Sequence, residues 1–138
     1  MSVVGEWPVR VYYEDTDHGG GVYYANYLKY FERGRTELLR ALGFEQDDLM
    51  GREGLLFVVR KVEADYLRPA VFNDRLRVVT EVADLGRARV DFEQSVLREG
   101  ETKPLCRGRV QVACVGAGDF RPSPIPEAVR RALGFGEA

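Results

Sequence analysis

Tyr13-Glu14-Asp15-Thr16-Asp17-His18-Gly19-Gly20-Gly21-Val22-Tyr23-Tyr24-Ala25-Asn26-Tyr27 is the stretch in which the period of the hydrophobic pattern changes. Upstream, from Pro8 to Glu14, residues alternate, with Val9, Val11 and Tyr13 on one face and Arg10, Tyr12 and Glu14 on the other, as in a strand. Downstream, Tyr27, Phe31, Gly34, Leu38 and Leu42 recur every three or four residues and so share one stripe of a helix from Asn26 to Leu42. Gly43 follows as a helix C-terminal stop, and Asn26 or a near neighbour caps the start. Between strand and helix, the consecutive glycines Gly19, Gly20 and Gly21 require a loop. Gly34 weakens the helix by roughly 1 kcal/mol relative to Ala. Its place on the buried stripe points to a close approach between helix and sheet.

Outward from this junction the chain reads as β. Leu56 to Leu67 alternates and ends before Pro69, then Arg75 to Val82, Arg89 to Leu97 and Leu105 to Val115 follow, separated by Gly86 and by the Gly100 to Pro104 segment. Connections this short make hairpins rather than parallel crossovers. The resulting antiparallel sheet must bury one face, and the Asn26 to Leu42 helix is its only adequate cover. The expectation is an α+β fold, a curled antiparallel sheet wrapped around one long helix, forming a single domain over residues 1–138. Pro122, Pro124 and Pro126 lead into a short terminal helix, Glu127 to Leu133. One helix cannot also protect both sheet edges, so a homodimer joined through an edge is expected.

Composition narrows the function. Hydrophobic residues make up 45% and charged residues 30% of the chain, a globular balance without a membrane-spanning stretch. Met1 to Arg10 lacks the basic start and apolar core of an export signal, which points to the cytoplasm. A formal net charge of -2 argues against nucleic acid as partner. Cys106 and Cys114 fall on one strand, roughly 26 Å apart, too far to form a disulfide. With His18 the only histidine, no Cys/His zinc site can be assembled, and no metal or cofactor is expected.

The junction itself carries the chemistry. Unpaired N–H groups at a helix start favour a developing oxyanion, and Gly20 and Gly21 let a ligand approach the main chain. A nearby carboxylate supplies a nucleophile or a base. Together these suit acyl transfer. Asp15 is read as a turn-forming residue, Asp17 as the functional carboxylate, His18 as an exposed bystander, and Tyr23, Tyr24 and Tyr27 as core or pocket aromatics.

The stretch Trp7-Pro8-Val9-Arg10-Val11-Tyr12-Tyr13-Glu14-Asp15-Thr16-Asp17, the glycines after it, Ala25-Asn26-Tyr27, Phe31-Glu32-Arg33 and Arg35-Thr36-Glu37 closely resemble the Tol-Pal-associated acyl-CoA thioesterases of the YbgC type. More distantly the chain resembles the 4-hydroxybenzoyl-CoA thioesterases. The likeness continues through Phe57-Val58-Val59-Arg60-Lys61 and Tyr66-Leu67-Arg68-Pro69-Ala70. It implies a hotdog fold, metal-free hydrolysis of an acyl-CoA thioester, and active sites shared across a dimer that assembles further to a homotetramer. By this resemblance Asp17 is the essential carboxylate and the Tyr24 backbone N–H polarises the carbonyl. Arg60, Lys61 and Arg87 are candidates for the CoA phosphates, and solvated strand-end charges are an equal reading of them. Many relatives have His in place of Tyr24 and an apolar residue in place of Gly21, so the extra glycine is expected to loosen the loop.

Three rivals belong to other classes. Asp15-Thr16-Asp17 resembles a magnesium-binding Asp-x-Asp of phosphoryl transfer, although such motifs sit in parallel α/β sheets. A hotdog dehydratase would need a histidine better placed than His18. A non-catalytic module binding acyl-CoA or acyl carrier protein would keep the pocket without turnover. The acyl group, short aliphatic or aromatic, and its carrier, CoA or acyl carrier protein, are not specified by the sequence.

Overall fold

The computed structural model describes residues 3–134, in which five strands and three α-helices follow one another as β1 (Val4–Arg10), α1 (Tyr24–Ala41), α2 (Gln46–Glu53), β2 (Leu55–Tyr66), β3 (Arg75–Leu85), β4 (Arg89–Arg98), β5 (Pro104–Gly116) and α3 (Glu127–Ala132). The strands form one antiparallel sheet in the order β1-β3-β4-β5-β2. Register shifts leave Arg60 on β2, Ala83 on β3 and Leu105 on β5 as extra residues, and these bulges bend their strands and curl the sheet around α1. The α+β hotdog architecture expected from the sequence is therefore present.

Two elements depart from expectation. The first strand spans Val4–Arg10, not Pro8 to Glu14. Pro8 pairs with Arg77 on the sheet's outermost strand, where its missing N–H costs no ladder bond. Beyond Arg10 the apparent alternation is a turn: Tyr13–Asp15 is 3-10 helical, and Tyr13 is exposed while Val9 and Val11 are buried. The second departure is α2, absent from the sequence reading. It is short and charged, buries only Leu49, and stops at Gly54 in the left-handed region (φ 64°).

On α1 the buried residues are Tyr27, Tyr30, Phe31, Gly34, Leu38 and Leu39. Leu42, expected on the stripe, is the half-buried C-cap, and Tyr30 and Leu39 widen the apolar face instead. Burying a side chain such as Phe31 or Leu38 contributes roughly 1.5–3 kcal/mol. Gln94, on β4 and buried, donates to the Phe31 carbonyl at 2.8 Å and to Thr80 Oγ1 at 2.9 Å. This polar clasp sits where Gly34 brings helix and sheet together.

Cys106 and Cys114 lie on β5 as buried free thiols. Burial pushes Cys106 up to about 12 and also raises Cys114, Tyr27 and Tyr30. These groups stay neutral in the folded chain after the unfolded chain ionises. Their stabilisation is complete below about pH 8.5 and declines as pH rises toward 12. Urea midpoints should fall steadily from pH 8 to pH 11, and a flat profile would contradict this. A thiol reagent at pH 8 should find neither cysteine in the native protein and both in denaturant.

The strand register defines two ends of the molecule. Trp7, Val78, Val96, Cys106 and Tyr66 stand level across the sheet near the exit of β1, and Leu85, Val90, Val112 and Val59 stand level toward the other end. Helix α1 starts at the first end, with the Tyr24 ring 5.9 Å from that of Tyr66.

Candidate active site

The chain leaves β1 through a tightly bonded turn. Asp15 Oδ2 accepts from the Tyr12 N–H at 2.8 Å, and the Asp15 carbonyl accepts from the Tyr23 N–H and from Asn26 Nδ2, each at 2.9 Å. Asp15 thus has the structural role read from the sequence. Asn26 does not cap α1: Tyr23 is the N-cap, and the Asn26 amide ties the first turn of the helix back to the loop.

Asp17 opens the glycine loop. Thr16 bridges to Val22, the Asp17 N–H donates to the Gly21 carbonyl at 2.8 Å, and the Asp17 carbonyl accepts from Gly20 at 3.0 Å. Its side chain is exposed; Oδ1 accepts from the Gly19 N–H at 2.9 Å, and Oδ2 has no partner among the described residues. Gly20 adopts φ 89°, with open space where a Cβ would stand, so a ligand can reach the main chain there. Gly21 is not the loosening element expected. It bridges to Val71, and a Cβ on it would stand 3.2 Å from Pro69 Cβ, so the glycine lets the loop pack against residues 69–71. His18 is exposed and without hydrogen bonds among the described residues.

The helix start faces the same loop. Tyr24 and Ala25 are the first residues of α1, and their N–H groups have no acceptor among the described residues. No acidic side chain lies in the first turn to offset the positive helix end. The Tyr24 ring lies 4.7 Å from that of Tyr23 at a tilt of 44°, and the Tyr23 phenol is raised by the hydrogen bond with Tyr24 and also by the Asp17 charge. Asp17, Gly20, Gly21 and Tyr24 are therefore gathered at one junction: a carboxylate with a free oxygen, an approachable main chain, and unpaired donors.

A second layer holds this junction and was not read from the sequence. Ala70 donates its N–H to the Tyr27 hydroxyl at 3.0 Å and accepts from the Val22 N–H at 2.8 Å. The turn from Val71 to Asp74 is closed by the Asp74 carboxylate, which accepts from the Val71 N–H and from Arg98, both at 2.9 Å; Arg98 also donates to the Pro69 carbonyl at 3.2 Å. Asn73 (φ 70°) completes the turn. Only the Asn-Asp pair after Pro69 hinted at it, because Arg98 arrives from a distant strand. Arg98→Ala should lower kcat about ten- to a hundredfold by letting the loop shift, with KM little changed. Steady-state kinetics would check this, and Arg98→Lys, which keeps the ion pair, should recover part of the rate.

The three CoA candidates lie elsewhere. Arg60 is at the β2 bulge, Lys61 pairs with Glu63 at 3.0 Å, and Arg87 is in the β3–β4 turn, all exposed and toward the end of the sheet opposite the glycine loop. Within one protomer they do not meet Asp17. Among the described residues no group of three or more His, Cys, Asp or Glu side chains is arranged to hold a metal, and no helix is long and apolar enough to cross a membrane.

Residues 11–133 match the family model described as the thioesterase-like superfamily. The chain is 47% identical over 127 residues to the acyl-CoA thioesterase YbgC of Haemophilus influenzae, covering 92% of each, and 42% identical over 123 residues to the acyl-CoA thioester hydrolase YbgC of Escherichia coli, covering 89% of this chain and 90% of that one. Among solved structures, a probable thioesterase from Bartonella henselae superposes with a TM-score of 0.83 at 38% identity, over 89% of this chain and 99% of that one.

Proposed function

The chain belongs to the thioesterase-like superfamily and is an acyl-CoA thioester hydrolase, and from that premise we propose that Asp17 drives the hydrolysis while the Tyr24 N–H holds the carbonyl oxygen. The observation that carries this reading is the free Asp17 Oδ2 beside a helix start whose Tyr24 and Ala25 N–H groups lack acceptors. Negative charge developing on the thioester oxygen is stabilised by such donors and by the helix end. Asp17 either attacks the carbonyl carbon, expelling the CoA thiolate and leaving a mixed anhydride for water to cleave, or removes a proton from water that attacks directly. Gly20 and Gly21 keep the main chain open to the substrate. The acyl group is short aliphatic or aromatic, consistent with the Tyr23, Tyr24 and Tyr66 rings at the junction, and we read all of residues 1–138 as one cytoplasmic thioesterase domain.

The working unit is a homodimer paired along β2. This 12-residue edge strand pairs only with β5 among the described residues and exposes Val59, Val62 and Tyr66 alongside Arg60, Lys61, Glu63 and Asp65. A two-fold antiparallel pairing sets the far half of one β2 beside the near half of the other. It carries the partner's copies of Arg60, Lys61 and Arg87 toward this protomer's glycine loop, where the CoA phosphates need cations. Light scattering at micromolar concentration should give a dimeric mass, or a tetrameric one if dimers pair; a monomeric mass would rule the arrangement out.

The deciding experiment is thiol release from short, aromatic and long acyl-CoAs in buffer containing EDTA. Turnover unaffected by EDTA is expected. Failure on every substrate would favour a module that binds acyl-CoA or acyl carrier protein without turnover, and activity restored only by magnesium would favour metal-dependent chemistry at Asp15 and Asp17.

A further inference from the structure

The glycine loop is a miniature sheet of three arms. Thr16 bridges to Val22, flanked by the Asp17 N–H donating to the Gly21 carbonyl at 2.8 Å and the Tyr23 N–H donating to the Asp15 carbonyl at 2.9 Å, so residues 15–17 and 21–23 form an antiparallel ladder. On their other side residues 21–23 meet the strap that follows Pro69: Gly21 bridges to Val71, and the Val22 N–H donates to the Ala70 carbonyl at 2.8 Å. The central arm, Gly21 to Tyr23, runs directly into the Tyr24 N–H, whereas Asp17 stands at the end of an outer arm. The spacing between carboxylate and donor therefore depends on how the arms lie against one another.

Among the described residues no main-chain hydrogen bond runs from residues 15–23 to any of β1 to β5. What grips the arms is α1. Asn26 and Tyr27 are consecutive, so their side chains leave the helix about 100° apart, and each takes a different outer arm. Asn26 Nδ2 donates to the Asp15 carbonyl at 2.9 Å, and the Tyr27 hydroxyl accepts from the Ala70 N–H at 3.0 Å. The Asp15 carbonyl thus accepts from the central arm through Tyr23 and from the helix through Asn26, which uses both its lone pairs. Tyr27 and Ala70 are both buried, so the Tyr27 hydroxyl, not solvent, satisfies that N–H.

We propose that Asn26 and Tyr27 are positioning residues for the hydrolysis: by gripping the two outer arms they hold Asp17 at its working distance from the N–H groups at the start of α1. The inference rests on the thioesterase reading of the junction and adds two residues that act on the rate through the arms they hold. A misplacement of about 1 Å at a reacting group costs on the order of a hundredfold in rate. Releasing one arm leaves the rest of the binding surface in place, so the loss falls on kcat.

The test compares the wild type with Asn26→Ala, Asn26→Asp and Tyr27→Phe in kcat and KM for the best substrate of the acyl-CoA panel, in urea midpoint, and in amide exchange by NMR. Each variant should lower kcat about ten- to a hundredfold with KM changed less than about threefold. Asn26→Asp separates positioning from stability. It keeps the shape of the side chain and adds a negative charge in the first turn of α1, which favours folding, yet it sets an acceptor against the Asp15 carbonyl. Its kcat should fall while its urea midpoint holds. Wild-type kcat in either Asn26 variant, a loss confined to KM, or a loss matched in both by a collapsed midpoint overturns the proposal. Amide exchange reads each grip without turnover. Asn26→Ala should speed exchange of the Tyr23 and Asp17 amides about tenfold or more and leave Val22 little changed, and Tyr27→Phe should do the reverse. The same pattern in both variants, or no change in either, also overturns it. If the wild type hydrolyses no acyl-CoA, the thioesterase reading fails, and the crossed exchange pattern alone decides whether α1 grips the arms. If Asp17→Asn keeps its rate while the Asn26 variants lose theirs, Asp17 is not the group held, and Asn26 stands as positioning the donors at the helix start.

Discussion

Asp17→Asn is expected to lower kcat for acyl-CoA hydrolysis by about a thousand- to ten-thousandfold, with KM little changed. The substitution keeps the shape of the side chain and an oxygen that can accept from Gly19, so the loop should survive it. Asp17 is exposed, and a substitution there should shift stability by no more than about 0.5 kcal/mol. What disappears is the negative charge and the free oxygen. An amide neither attacks a thioester effectively nor removes a proton from water, whichever role the carboxylate has. Residual hydrolysis would come from the helix-start donors and from binding. A folded variant within tenfold of wild type would remove Asp17 from the mechanism. Single-turnover reaction in 18O-labelled water then separates the two roles. Hydrolysis of a mixed anhydride can leave the label in the Asp17 carboxylate, whereas direct attack by water puts it only in the released acid.

The part of this site that could be read along the chain is the part built from neighbours. The glycine loop, the change of period at Tyr27 and the unpaired N–H groups at the helix start all follow from residues a few positions apart, and the structure gathers them at one junction. The layer behind them could not be read in the same way. Tyr27 meets Ala70, and Arg98 meets Asp74 and Pro69, only after β3 and β4 have brought distant segments together. The first strand was displaced because Tyr12, Tyr13 and Glu14 continue the alternation of Val9 and Val11 while Asp15 bonds the Tyr12 N–H and bends the chain. Helix α2 escaped because its apolar face is reduced to Leu49. The position of the cations is a matter of topology. Register places Arg60 and Lys61 toward the end of the sheet opposite the glycine loop, a separation that cannot be read from their neighbours along the chain.

Gly34→Val should unfold the protein or cost it about 3–5 kcal/mol, the largest stability effect expected of a single change in α1. A Cβ at this position would stand 2.6 Å from Thr80 Oγ1, 2.8 Å from Val78 Cγ1 and 3.2 Å from Gln94 Nε2. None of these can swing into solvent, because Val78, Thr80 and Gln94 are all essentially buried. Relief requires either moving α1 off the sheet or pushing Gln94 away from the Phe31 carbonyl and Thr80, which strands buried polar groups at roughly 1–3 kcal/mol each. Gly34→Ala sets the same overpacking against a helix-propensity gain of about 1 kcal/mol, so a smaller net loss of about 1–2 kcal/mol is expected. Gly51 provides the opposite sign. It sits inside α2 with nothing within 4 Å of a built Cβ, so Gly51→Ala should stabilise by about 0.5–1 kcal/mol through helix propensity alone. Urea midpoints for the three variants decide the matter. If Gly34→Ala stabilised the protein as Gly51→Ala does, helix and sheet would have slack at Gly34, and the glycine would not be what permits their contact.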